Sequence, residues 1–344
     1  MTQKINSLQV VSLAVFLFLA FGLIFVLQAK DRTQIIKKES QQKQEEELQK
    51  TSPLSGLICN DYDKRPMAVV LAEDPVTRPL SGLFEADLVF EIPVITNEIN
   101  RLLAFYVCGQ PEEIGSLRSA RHDFVPLAMG LDAILAHWGG SHYALDLLDN
   151  QIMDNINALI NPHNAFYRKI GVPQPHNGFT SVERLRRASR KLGYRTESSF
   201  EGYPHLKNPQ AQIEEEKTLT LNYTSPYNIS YHYQPSDNSY LRFRDGRPEI
   251  DTLVDKQIEA KVVIVMKAES RQIEGPYYND VDIEGDGDCQ IFQNGQVLNC
   301  YWQKNKDSFS SKLYFLNEAG QEIKLVPGQI WVEVVESDQE VNWQ

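Results

Sequence analysis

Two arginines three residues apart, Arg118 and Arg121, stand ahead of an apolar run, Ala133–Ala136, which ends in His137 and passes through Gly139 and Gly140 to Ser141. Guanidinium groups are bidentate donors to carboxylate and phosphate. Glycines let a backbone come close to a ligand, and a helix start offers free N–H groups to an anion. This combination predicts an anion-accepting site, with His137 as its candidate acid or base, because imidazole is the side chain suited to proton transfer near neutral pH. The blander alternative is two surface arginines and a histidine packed under a turn. A second candidate is Pro175-His176-Asn177, in a loop rich in Pro and Gly; it offers His176 as another acid or base and Asn177 as a ligand contact. Glu91, inside the apolar Val89-Phe90-Glu91-Ile92, either faces solvent on an edge or pairs with Arg101, Arg118 or Arg121 within the site.

These residues need elements to position them. Ile114 to Ser141 reads as helix, strand, tight turn, helix, with Ser141 capping a helix whose apolar face includes Leu145, Leu148 and Ile152. Pro126 either interrupts the first helix or sits in its first turn. Met67–Ala72, Asp87–Val94 and Leu102–Cys108 are apolar runs; the last two read as an antiparallel pair. The Ala133–Trp138 strand is apolar throughout, as a strand covered on both faces would be. Thr180-Ser-Val-Glu183 is a capping box opening a helix that Gly193 stops. In an open α/β sheet ligands collect at the carboxyl ends of strands, which is where this cleft belongs. From Thr218 the pattern turns to short alternating strands with hairpin turns at Asp245-Gly246 and Asn294-Gly295. The expected fold is an α/β domain with a mixed sheet over 53–203, a polar linker over 204–217, and a smaller, mostly β domain over 218–344.

The chain of 344 residues carries a net charge of -12, which argues against nucleic acid as a partner. Residues 5–29 carry no charge, long enough for a helix to span a bilayer, so residues 1–29 read as a signal-anchor or a long signal peptide. A polar spacer of Gln, Glu and Lys fills residues 30–52. Basic residues flank the apolar run on both sides and leave its orientation ambiguous. Four cysteines form no CxxC pair, so a zinc ribbon is unsupported. Cys289 and Cys300 flank the Asn294-Gly295 turn, and hairpin arms lie close enough for a disulfide; Cys59 and Cys108 are then left to pair. Four buried thiols are the alternative, which an exported chain disfavours. Asp280, Asp282, Glu284, Asp286 and Asp288 alternate in a calcium-loop manner, but Ile291 falls where the bidentate Glu belongs, so they read as the acidic face of a strand. The histidines show no metal-ligand spacing, and no GxSxG, HExxH or P-loop occurs; no metal or cofactor is expected.

Several of these segments resemble the YerB-like lipoprotein family of bacteria, a domain of unknown function (DUF3048). They are Arg65-Pro-Met-Ala-Val-Val70, Arg78-Pro-Leu-Ser-Gly82, Ala86-Asp-Leu-Val-Phe-Glu91, Ile114-Gly-Ser-Leu-Arg-Ser-Ala-Arg121, Asp132-Ala133, His137-Trp-Gly-Gly-Ser141, Pro175-His-Asn177, Tyr240 to Gly246 and Pro327-Gly-Gln-Ile-Trp331. The resemblance implies a two-domain extracytoplasmic module and assigns no catalytic role. No cysteine follows the apolar run where a lipobox would place one, which implies a peptide anchor instead of a lipid. Two readings follow. One is a single-pass protein of the cell membrane, its folded domains outside, binding an anionic envelope polymer or lipid headgroup. The other is a hydrolase or transferase acting on cell-wall or glycan material, with His137 or His176 as acid or base and Glu91 orienting it.

Overall fold

Strands that are apolar at every position need cover on both faces. Met67–Ala72 and Leu88–Pro93 are buried at all positions, and they lie at the middle of a ten-stranded mixed sheet. From one edge its strands are Tyr314–Leu316, Gln296–Lys304, Gly285–Gln293, Val262–Ala268, Ile330–Glu336, Leu88–Pro93, Asn100–Tyr106, Met67–Ala72, Ile134–His137 and Asn155–Asn157. The structure, a computed structural model, describes residues 32, 50–95 and 99–344. The expected membrane segment and nearly all of the polar spacer lie outside the described residues, among which no helix is long and apolar enough to cross a membrane.

Side chains alternate between two cores. Val70, Phe90, Leu103 and Ile264 pack on one face with Phe124, Leu127 and Leu148 from two helices, Phe124–Gly130 and His142–Asp149. Val69, Val89, Ala104 and Val263 pack on the other with Leu185 and Ala188 of the Val182–Leu192 helix and with Tyr231, Tyr233 and Tyr240 of a second, six-stranded sheet. Among the described residues all three α-helices precede residue 204, and the rest is strand and turn, a mixed-sheet fold with a mostly β second half. The central sheet draws strands from both sides of residues 204–217: Leu88–Pro93 runs parallel to Ile330–Glu336.

Several local expectations meet their geometry. Leu88–Pro93 and Asn100–Tyr106 pair antiparallel. Asp245-Gly246 and Asn294-Gly295 all have positive φ, as tight hairpin turns require. Pro126 sits within the first turn of its helix, where its missing N–H costs nothing. Ser181, not Thr180, caps the Val182–Leu192 helix, its hydroxyl accepting from the Arg184 N–H at 3.3 Å. Thr180 instead ends a short strand and donates to the Ala165 carbonyl. Both disulfides are formed, Cys59–Cys108 and Cys289–Cys300, the second between directly opposed residues of the hairpin.

Candidate functional site

Arg118 and Arg121 do not lie on a helix; they precede Phe124–Gly130 on an extended segment. That segment is stitched between strand ends. The Arg118 N–H donates to the Val70 carbonyl, and its own carbonyl accepts from Trp138 N–H. Ala120 N–H donates to Gly139 O at 2.9 Å. These bonds bring the arginines to the carboxyl ends of Met67–Ala72 and Ile134–His137, which run parallel. Gly139 makes the turn with φ of 68°, a conformation glycine adopts without strain.

Three guanidinium groups gather at this end. Arg118 holds Asp74 with Nη2 at 2.9 Å and Nε at 3.3 Å, and its Nη2 also lies 2.9 Å from His176 Nδ1. Arg101, opposite Ala72 in the sheet, donates to the Ser119 carbonyl at 2.7 Å. Arg121 donates to Ala120 O, and its Nε is buried without a partner. Its guanidinium stands 5.7 Å from the Tyr278 ring centroid. Burial, then the positive charges of Arg121 and Arg118, push the Arg101 pKa well down. Burial likewise lowers Arg121. The His176 pKa is lowered by burial and by the adjacent Arg118 cation, so the ring is neutral near pH 7. Asp74 pairs with Arg118, and Asp123 acts electrostatically on Arg121.

The other expected site residues have structural work. His137 is fully buried; Nδ1 donates to the Gly139 carbonyl at 2.7 Å and Nε2 lies 3.2 Å from Asn155 Oδ1. Burial lowers its pKa, and both ring nitrogens face neighbouring protein groups. Ser141 is also buried, its hydroxyl accepting from Ala144 N–H as a helix cap. Gly140 lies against Ala120 in a bridge. Asn177 accepts from Arg168 Nη1 at 2.6 Å, which steadies that guanidinium 4.6 Å over the Trp138 ring.

Glu91 is neither on an exposed edge nor paired with Arg101, Arg118 or Arg121. It points to the opposite partner, the second sheet, and is fully buried. Arg244 clamps it at 2.7 and 3.0 Å, Arg242 bonds its Oε2, and Asn100 Nδ2 donates at 2.8 Å. Arg242 also holds Glu249 at 2.7 Å and Glu333 at 2.5 Å, and Arg244 reaches Glu73 at 2.8 Å, which Arg78 approaches at 3.1 Å. No local pattern marked Asp74, Arg242 or Arg244 as site residues, although Tyr240 to Gly246 is among the segments that resemble the family. The one available signal was the Arg-x-Arg spacing in Tyr240-Leu-Arg-Phe-Arg244, which puts both arginines on the face that Tyr240 also presents.

Known proteins share this arrangement of segments. The model described as protein of unknown function (DUF3048), N-terminal domain, matches residues 54–195, and its C-terminal counterpart matches residues 219–332. The protein named "Putative lipoprotein YerB" of Bacillus subtilis (strain 168) is 28% identical over 289 residues, 83% of this chain and 86% of that protein. A crystal structure of YerB from Bacillus subtilis superposes with a TM-score of 0.76 at 28% identity, covering 86% of this chain and 99% of that one. With both family domains matched in order and the fold shared, the chain belongs to the DUF3048 family of proteins of unknown function.

Proposed function

We propose that the protein is an extracytoplasmic, membrane-anchored binder that takes an anionic group of the cell envelope, a polymer phosphate or carboxylate or a lipid headgroup, between Arg101, Arg118 and Arg121. The observation that carries this is the gathering of three guanidinium groups, with Asp74 paired to Arg118 and Asp123 acting electrostatically on Arg121. Like charges held together cost free energy that a bound anion returns. The neutral His176 ring touching Arg118 adds a polar wall that can gain a proton when an anion arrives. Location rests on the uncharged run at residues 5–29, the two disulfides and the name of the Bacillus relative.

The test is co-sedimentation of the full-length chain, in non-ionic detergent, with purified anionic wall polymer and separately with phosphatidylglycerol vesicles. Arg118→Ala should weaken binding about tenfold or more, the loss of one charge-assisted bidentate contact. The Arg118–Asp74 pair is partly exposed, so the melting temperature should move little. Arg118→Ala that melts lower and binds as tightly as the parent would make these arginines structural and end the reading.

A further inference from the structure

His122 and Asp123 are neighbours in the chain, and the fold brings Asp280, 158 residues from His122, beside them. His122 Nε2 lies 3.1 Å from Asp280 Oδ1 and 3.4 Å from Asp123 Oδ1. One ligand atom from each residue falls within 4.8 Å of the others. Donor atoms roughly 2.0–2.2 Å from a tetrahedral metal stand roughly 3.3–3.6 Å apart, close to the separations of His122 from the two carboxylates, so an ion entering would replace the direct His122–Asp280 hydrogen bond.

A second observation is independent of that spacing. Asp123 is 3% exposed, and its Oδ1 accepts from the Val281 N–H at 3.2 Å, but its Oδ2 is buried with no hydrogen-bond partner. A buried carboxylate oxygen without a donor is costly, and native structures rarely leave one unsatisfied unless something else fills the place. Asp123 lines a cavity of about 280 Å³ together with His122, Asp280, Asp282 and Glu284. Arg271 holds Asp280 by Oδ2 and Asp282 by Oδ1, which turns Asp280 Oδ1 toward His122. Outer partners of this kind orient the ligands of protein metal sites.

We propose that His122 Nε2, Asp123 and Asp280 Oδ1 bind one divalent metal ion of the zinc class, with a fourth position open to the cavity. One imidazole and two carboxylates suit zinc and its neighbours; calcium and magnesium take oxygen donors almost alone. The site shares no residue with the arginine cluster, although Asp123 interacts electrostatically with Arg121, and the Zn²⁺ titration tests it apart from anion binding.

The test uses the full-length, tag-free chain in non-ionic detergent, stripped with EDTA and titrated calorimetrically with Zn²⁺ and, separately, Ca²⁺. One Zn²⁺ per chain is expected, with a rise in melting temperature because the ion binds the folded state. Asp280→Asn and His122→Ala should each weaken Zn²⁺ by well over tenfold, and Arg271→Ala by about tenfold. Asp280 is partly exposed, so Asp280→Asn keeps the test valid even where His122→Ala fails to fold. No Zn²⁺ uptake by the parent chain, or unchanged Zn²⁺ affinity in Asp280→Asn, would overturn the proposal. Ca²⁺ binding as tightly as Zn²⁺ would refute the zinc class.

Discussion

At the scale of single residues, the two kinds of arginine in this protein differ in what surrounds them. Arg242 is fully buried and meets Glu91, Glu249 and Glu333, besides lying 3.9 Å over the Trp331 ring. Arg118 shares one partly exposed carboxylate and a neutral histidine. The first is held inside the fold by its carboxylates, and the second lies partly exposed at the strand ends. Removing one partner of a buried ion pair leaves the other charge uncompensated, at about 3–5 kcal/mol. Glu91→Ala should therefore lower unfolding free energy by about that amount, read from the urea midpoint at constant slope. A loss below about 1 kcal/mol would mean that Arg242 and Arg244 are satisfied without it. The Glu91 carboxyl is pushed up by burial but pulled down further by Arg244 and Arg242, to about 2.

At the scale of elements, each disulfide ties a different kind of connection. Cys289 and Cys300 are 11 residues apart, across a hairpin whose strands already pair. Cys59 and Cys108 are 49 apart, joining the segment before the first core strand to the end of Asn100–Tyr106. Loop-closure entropy makes the longer loop worth about 4 kcal/mol and the shorter about 3 kcal/mol. Cys59→Ser with Cys108→Ser should thus destabilise more than the Cys289→Ser, Cys300→Ser pair, as compared by urea unfolding under non-reducing conditions. The reverse order would show that strain or residual structure outweighs loop length.

At the scale of the whole molecule, four carboxyls (Glu73, Glu91, Glu249 and Glu333) meet three guanidinium groups (Arg78, Arg242 and Arg244) where the large sheet faces the small one. One negative charge is in surplus, so the cluster retains a proton. Burial pushes Glu73 up to about 8 and Glu333 up to about 7, the arginines notwithstanding. A carboxyl whose folded pKa exceeds its unfolded value binds its proton more tightly in the folded state. Its contribution is complete below about pH 4.5 and is lost as pH rises through 7 to 8. Glu91 acts in the opposite sense, contributing above about 4.5 and failing as pH falls toward 2. Stability should therefore decline between pH 5 and pH 8, and Glu73→Gln, which carries its neutral form at every pH, should flatten that decline. Melting temperatures at unit pH steps check this; an unchanged slope in Glu73→Gln would assign the proton elsewhere.

The sequence by itself indicated the main apolar strands, the hairpin turns and the cysteine pairings. Each rests on local pattern: continuous apolar runs for doubly covered strands, Asn-Gly and Asp-Gly for positive φ, and cysteines flanking a turn. Only the tertiary structure decided which side chains meet one another. His137 lies at the end of a strand covered on both faces, so it is sealed under Gly139, while His176 arrives on a loop and reaches Arg118. Glu91 could not be matched to Arg242 and Arg244 from sequence, because 151 and 153 residues separate them and the pairing depends on how two sheets stack. His122 and Asp280 are 158 apart and become neighbours by the same means. Periodicity reports which face of an element is buried; it carries no record of what that face will meet.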